Sequence, residues 1–316
     1  MTATTDTPRP RPRPSLRERV GRVLSRPTFR FGAVVLLPTL IWYAIFVFAP
    51  ILRSIQLSLL DYNLLDPGSS RFAGLDNFAD LFANHRFWVG VGNTVSWSIL
   101  SFIFIVPISL LLAACLASVS RGRAVYQAVI FLPVVVSVVA LGVLFRVLMD
   151  PQVGFFNRVL AMVGLPAFSW LSSSDTALVT LVGISAWKSI GLFVVILTAG
   201  MLNIPGEVYD AARVDGAGRW QLFRRVTLPL LLPTLALVMV LITIGSLQEY
   251  TLPTVVTGAP GLQGGPGEST LLYNLVVYDE AFTYVRFGTA SAAALIEFVV
   301  ILGISLVWLR VLRARY

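Results

Sequence analysis

The chain is 316 residues long, 56% hydrophobic and only 13% charged, with a formal net charge of +8 and a mean hydropathy of +0.81. Soluble proteins average about 25% charged residues, so the composition excludes an ordinary soluble domain and predicts a chain whose solvent is lipid. One cysteine, Cys115, and one histidine, His85, exclude a disulfide framework and a multi-His metal centre within the chain and argue against a His-based triad.

Residues 1–30 carry Arg9, Arg11, Arg13, Arg17, Arg19, Arg22, Arg26 and Arg30 against Asp6 and Glu18, and include the run PRPRPRP. Such a segment cannot bury a core and predicts an extended, solvated tail resting on anionic lipid headgroups. Apolar runs follow at about 31–51, 93–117, 126–148, 177–201, 230–249 and 288–309. Each can cross about 30 Å of hydrocarbon, which takes about 20 residues, and only helices or closed barrels satisfy their backbone there. The expected fold is an all-α membrane protein of six transmembrane helices, one domain over 31–316 behind the tail. The first run is followed by no small-x-small cleavage site and reads as a span, not a removable signal.

With the N-terminus inside, the inner connections hold seventeen Lys and Arg and the outer ones five, Arg146 and Lys188 falling within spans. That bias predicts two cytoplasmic termini. It also accounts for the net charge without nucleic acid, because no aromatic-basic platform accompanies it. Trp42, Tyr43, Trp88 and Trp308 lie near span ends and read as interface anchors. Lys188 and Glu297 fall near the middle of the fourth and sixth runs. A charge facing lipid costs about 2.5–3.5 kcal/mol on insertion scales, so both are expected to face protein or water. They either pair with each other, line a pathway or find separate partners. Lys188 follows Trp187, not the glycine of a GxxxxGK loop, so the chain has no nucleotide-phosphate lysine.

Aromatic faces beside carboxamide or carboxylate groups suit a sugar. Two stretches offer that mixture, Trp187-Lys188-Ser189 in the fourth span and Gln248-Glu249-Tyr250 at the outer end of the fifth. The plain alternative is that Trp187 packs against neighbouring helices and 248–250 marks the membrane edge.

The connection 203–229 is short and charged, EVYDAARVDGAGRWQLFRRVTLP from Glu207 onward. Asn203 is a candidate cap, Pro205 suits a first turn, and Glu207 and Asp210 suit the positive end of a helix. That helix should run through Ala211 and Ala212 to about Asp215 and end at Gly216. A second short helix over 219–226 should follow, with Pro229 opening the next span. Asp210-Ala211-Ala212, three residues, Gly216, nine residues, then Val226-Thr227-Leu228-Pro229 resembles the E-A-A loop of permease subunits in bacterial binding-protein-dependent ABC importers. Asp stands for Glu and Val for Ile. Ile204-Pro205-x-Glu207, Asp215-Gly216-Ala217 and Trp220 also fit, and the likeness covers roughly 30–310. FAGLDNF (72–78), Asn93-Thr94, GGPGEST (264–270) and YDEAFTYVRFGTASA (278–292) resemble the maltose- and glycerol-phosphate-type first subunit.

The resemblance implies the ABC type I importer permease fold in the bacterial plasma membrane. Its partners would be a second permease subunit, two copies of a cytosolic ATPase and an extracytoplasmic sugar-binding (lipo)protein. Glu207, Asp210, Ala211, Ala212, Asp215 and Gly216 would form the coupling segment docked on the ATPase, and Gly264, Gly265 and Pro266 would meet the binding protein. The chain itself would bind no cofactor or metal and catalyse no reaction, ATP and Mg acting in the ATPase. The implied substrate is a disaccharide such as trehalose. The rival readings are a secondary, ion-coupled transporter, which repeated six-span halves or proton-relay acids would favour, and a membrane lipid-sugar transferase, which needs clustered Asp or His at a membrane surface.

Overall fold

The computed structural model describes residues 27–64, 68, 70–258 and 264–313; apart from 27–30, the expected tail lies outside them. In chain order the helices used below are α1 (Val34–Ser58), α2 (Asp76–Ala83), α3 (His85–Ser118), α4 (Arg123–Val135), α5 (Val138–Leu148), α6 (Phe155–Met162), α7 (Ser174–Leu202), α8 (Gly206–Val214), α9 (Arg219–Leu230), α10 (Leu232–Leu247), α11 (Thr251–Thr257), α12 (Tyr273–Tyr278) and α13 (Phe287–Arg313). A single two-residue pair, β1 (Leu60–Asp61) with β2 (Arg71–Phe72), interrupts the all-α pattern among the described residues. Helices α1, α3, α7 and α13 are each long and apolar enough to cross a membrane, and the bent pairs α4–α5 and α9–α10 bring the candidate spans to six.

The chain divides into two compact units, residues 1–56 and 57–316. The described part of the first is most of α1, and none of its most apolar stretch is buried. A helix hydrophobic all round has lipid or another protein as its solvent.

The second unit is built on α3 and α7, packed side by side, with α4 against α7 and α10 against α13. One core cluster gathers Trp97, Leu141, Leu181, Val182 and Leu252. A second gathers Ile105, Ala113, Leu197, Leu231 and Val238. A Cβ added at Gly191 of α7 would overlap the Ile130 carbonyl of α4. Glycine lets the two backbones touch there, the usual route to tight helix association in lipid.

The third and fifth runs are broken rather than straight. Between α4 and α5 the chain turns by 87°, through Val136 (ψ 134°) and Ser137 (ψ 132°) in extended conformation. Between α9 and α10 it turns by 70° at Leu231. Pro233, in the first turn of α10, has no amide to continue the ladder, and its ring crowds the carbonyl four residues back. The expected start of the span at Pro229 is corrected accordingly, because α9 runs through that proline. It does so by widening: Phe223–Thr227 is a π-helical turn in which the Leu228 amide reaches the Phe223 carbonyl. The wider turn relieves the clash that Pro229 would make with the preceding turn.

Helix α7 has 29 residues and rises about 43 Å, so what adjoins its two ends lies far apart. Helix α8 follows at one end. At the other, Gly267 lies against Ser174, where α7 begins. At β1, Asn77 donates to the Ser58 and Leu60 carbonyls, both at 2.9 Å, which explains the asparagine in FAGLDNF.

Candidate functional site

Helix α8 is short, bounded by Pro205 at its start and closed by hydrogen bonds at its end. Pro205 (φ −58°, ψ 136°) precedes it, and Asn203 instead ends α7, its amide reaching the Ala199 carbonyl. The proposed Asn203 cap is thus corrected. The extended Pro205 resets the backbone, so α8 cannot begin before it. At the far end Gly216 has φ +80°. Its amide donates to the Arg213 carbonyl and that of Ala217 to Ala212, both at 3.0 Å. This is a Schellman closure, which places the glycine where a left-handed residue is required. Arg213 pairs with Asp210 at 2.8 Å on the exposed surface. The Tyr209 hydroxyl meets Thr227 Oγ1 at 3.1 Å and ties α8 to α9. Glu207, Asp210, Ala211, Asp215 and Gly216 are exposed, Ala212 is half-buried, and Val214 is 88% exposed. The result is a rigid, small-faced helix with an open outer side.

The second constellation lies along α7, α10 and α12. Lys188 donates to the Val134 carbonyl at 3.1 Å, one of the last carbonyls of α4, which the break leaves without helical partners. An ammonium at a helix C-terminus also opposes its negative dipole end. Glu297 accepts from Asn274 Nδ2 at 2.9 Å. The Lys188–Glu297 pair is therefore not formed: the broken span supplies the lysine's acceptor and α12 supplies a carboxamide for the glutamate. Glu249 has a backbone partner of its own. Its carboxylate accepts the Leu252 amide at 3.1 Å and so caps α11, an assignment more structural than the one drawn from sequence.

Trp187 and Tyr250 each have their own aromatic partners. Trp187, 51% exposed, lies edge-on to Phe145 at 5.8 Å. It borders a cleft of about 770 Å³ walled by Phe145, Phe156, Phe168 and Trp170, with Asp175, Thr176 and Thr180 as its polar members. Adjacent helical residues point apart, so Trp187 and Lys188 serve different faces. Gln248 is exposed at the end of α10. Tyr250 stacks on Tyr278 at 6.0 Å and 21°, and Tyr278 lies 4.9 Å from Phe282. Asn274, Tyr278 and Phe282 escaped the sequence reading, although their four-residue spacing marks one helical face.

Residues 264–272 are locked onto α3. Asn93 Nδ2 donates to the Glu268 and Leu271 carbonyls at 2.8 and 3.0 Å. Arg86 pairs with Glu268 at 2.8 Å and with buried Asp279 at 3.2 Å. Burial pushes the Glu280 carboxyl above its usual range, with Arg286 and Asn84 opposing the shift. Gly264 and Gly265 are buried turn formers with φ of +97° and +75°. The expected contact surface at Gly264, Gly265 and Pro266 is corrected on that ground: among the described residues 264–267, half-buried Pro266 and exposed Gly267 are the ones that reach the surface. Pro266 also lines a cavity of about 360 Å³ with Arg146, Asp150, Ser172 and Thr257. The amides of Val153 and Gln152 hold the Asp150 carboxyl below the ordinary carboxylate range.

Residues 105–315 match the family described as binding-protein-dependent transport system inner membrane component. The chain is 30% identical over 289 residues to the trehalose/maltose transport system permease protein MalF of Thermococcus litoralis, covering 90% of this chain and 95% of that protein. It is 26% identical over 275 residues to the arabinooligosaccharides transport system permease protein AraP of Bacillus subtilis, covering 86% and 85%. Among solved structures it is similar to a chain of a bacterial alginate ABC transporter in complex with an alginate pentasaccharide-bound periplasmic protein. That likeness has a TM-score of 0.78 at 27% identity and covers 92% of this chain and 96% of that one. With its apolar spans, its closed helix before α9 and a match over most of its length, the chain belongs to the binding-protein-dependent transport system inner membrane component family, as a multi-pass membrane protein and not an enzyme.

Proposed function

We propose that the chain is one of two permease subunits of an ATP-driven saccharide importer and forms half of its translocation pathway. The geometry of α8 carries this reading: a nine-residue helix, closed by a Schellman turn, tied to α9 by Tyr209 and otherwise open. A lever between a motor and a span needs that combination of rigidity and free surface. The docked partner is a cytosolic ATPase, two copies per importer, and ATP and Mg act there. The excess of arginine in alternate connections supports α8 and both termini in the cytosol. The opposite end, with Pro266 and Gly267, then faces an extracytoplasmic binding protein. Differential binding of the ATPase to two permease conformations shifts their populations and alternates access.

The names of the relatives, which span trehalose or maltose and arabinooligosaccharides, support a saccharide, and a disaccharide such as trehalose is the first to assay. The test is reconstitution of the complete complex in liposomes with binding protein. Saccharide-stimulated ATP hydrolysis with ATP-dependent uptake is expected. Uptake driven by an ion gradient without ATP would overturn the reading in favour of a secondary transporter.

A further inference from the structure

Asn274, Tyr278 and Phe282 follow one another at four-residue intervals on α12 and the turn after it, so they lie along one face. The inner end of this stripe is polar. Asn274 donates to the Glu297 carboxylate at 2.9 Å and to the Leu247 carbonyl at 3.4 Å. The outer end is aromatic. Tyr278, 44% exposed, stacks on Tyr250, which is 39% exposed, and Phe282 is 67% exposed. Beside the stack, Gln248 is exposed. Neither its carboxamide nor the hydroxyls of Tyr250 and Tyr278 have a hydrogen-bond partner among the described residues.

Two physical points identify what this stripe meets. A carboxylate within a span does not face lipid, so a face that begins at Glu297 opens on water or protein. Ring faces bordered by a free carboxamide and free hydroxyls match a pyranose, which has an apolar face and a rim of hydroxyls. The rings already stack on one another, so little side-chain ordering remains to oppose binding.

We propose that Tyr250, Tyr278 and Phe282 form a stacking rail that takes the apolar faces of sugar rings and leads the saccharide to the Asn274–Glu297 pair. The rail rests on the reading of the chain as half of a saccharide pathway. It adds residues and a mode of recognition that this reading does not require. Phe282 is the outermost ring, Tyr278 the middle contact, and Gln248 reaches hydroxyls from the side. The buried pair then receives hydroxyls through one carboxamide and one carboxylate.

The experiment uses the full importer complex without its binding protein, with labelled trehalose and a panel of linear oligosaccharides as probes in equilibrium dialysis. Tyr278→Ala and Phe282→Ala should each weaken binding about tenfold, in keeping with loss of one aromatic stack. Tyr278→Phe and Phe282→Tyr, which keep a ring, should restore binding. In a Cys115→Ser background, saccharide should also slow modification of Phe282→Cys by a thiol reagent. Wild-type binding by both alanine variants, or no protection at position 282, overturns the rail while the importer reading stands. Failure of the wild-type complex to take any saccharide, with binding protein or without, removes the importer reading and the rail together.

Discussion

Gly216 is a case where the backbone alone carries the argument. A Cβ placed there meets nothing within 4 Å, yet φ is +80°, so the only penalty for a side chain is conformational. For a residue in the left-handed region that is about 1–2 kcal/mol, and a β-branched side chain suffers most. Gly216→Val should therefore insert in the membrane at normal levels and lose uptake, because the Schellman turn that sets the angle between α8 and α9 is no longer favoured. Immunoblotting of membranes beside an uptake assay checks this; normal transport would remove the docking role of α8.

Glu280 argues from charge. Its side chain is almost fully buried, its Oε2 lies 3.7 Å from Arg286, and burial outweighs the favourable partners, so its carboxyl titrates above the ordinary value of 4.5. The native state then holds this proton more tightly than the unfolded chain does. The associated stability is fully present below about pH 4.5 and is lost as pH rises through the raised value. Glu280→Gln keeps the shape and removes the charge. It should unfold at a higher temperature than the native chain at neutral pH, with the difference shrinking as pH falls toward the ordinary carboxylate range. Thermal unfolding of the purified complex across pH measures it, and a constant difference would contradict the burial argument.

At the scale of elements, the coupling of α8 to α9 rests on few atoms. Helix α8 is joined to α9 by the hydrogen bond of Tyr209 to Thr227, and α9 is bent 70° from α10. Tyr209→Phe removes that bond for about 0.5–1.5 kcal/mol and leaves the ring packed. The expected outcome is a complex that assembles and hydrolyses ATP at its basal rate but shows reduced stimulation by saccharide-loaded binding protein. Stimulation equal to wild type would mean that packing alone carries the coupling. In the broken α4–α5 span, the lysine on Val134 and the close backbone approach at Gly191 add to the packing of its inner half on α7.

For the whole molecule, the orientation implied by the arginine count places α8 and the loop before α7 on opposite sides of the membrane. In a Cys115→Ser background, a cysteine at exposed Val214 should resist an impermeant thiol reagent in intact cells, and one at Met162, 83% exposed, should react. Labelling at position 214 from outside would reverse the topology and the coupling argument with it.

Much of this was legible in the chain itself. Composition and the length of the apolar runs determined a multi-pass helical protein, because lipid leaves the backbone few other ways to satisfy its hydrogen bonds. The end of α8 was readable at Gly216, since a left-handed terminus selects glycine from any surroundings. Tertiary structure alone decided what followed from packing. It bent two spans at Val136-Ser137 and Leu231, gave Lys188 the Val134 carbonyl and Glu297 the Asn274 carboxamide, and buried Gly264 and Gly265. It also set Trp187 against Phe145 and Tyr250 on Tyr278. Local preference extends a few residues along the chain, whereas these partners lie tens of residues apart and are chosen by which helix faces close on one another.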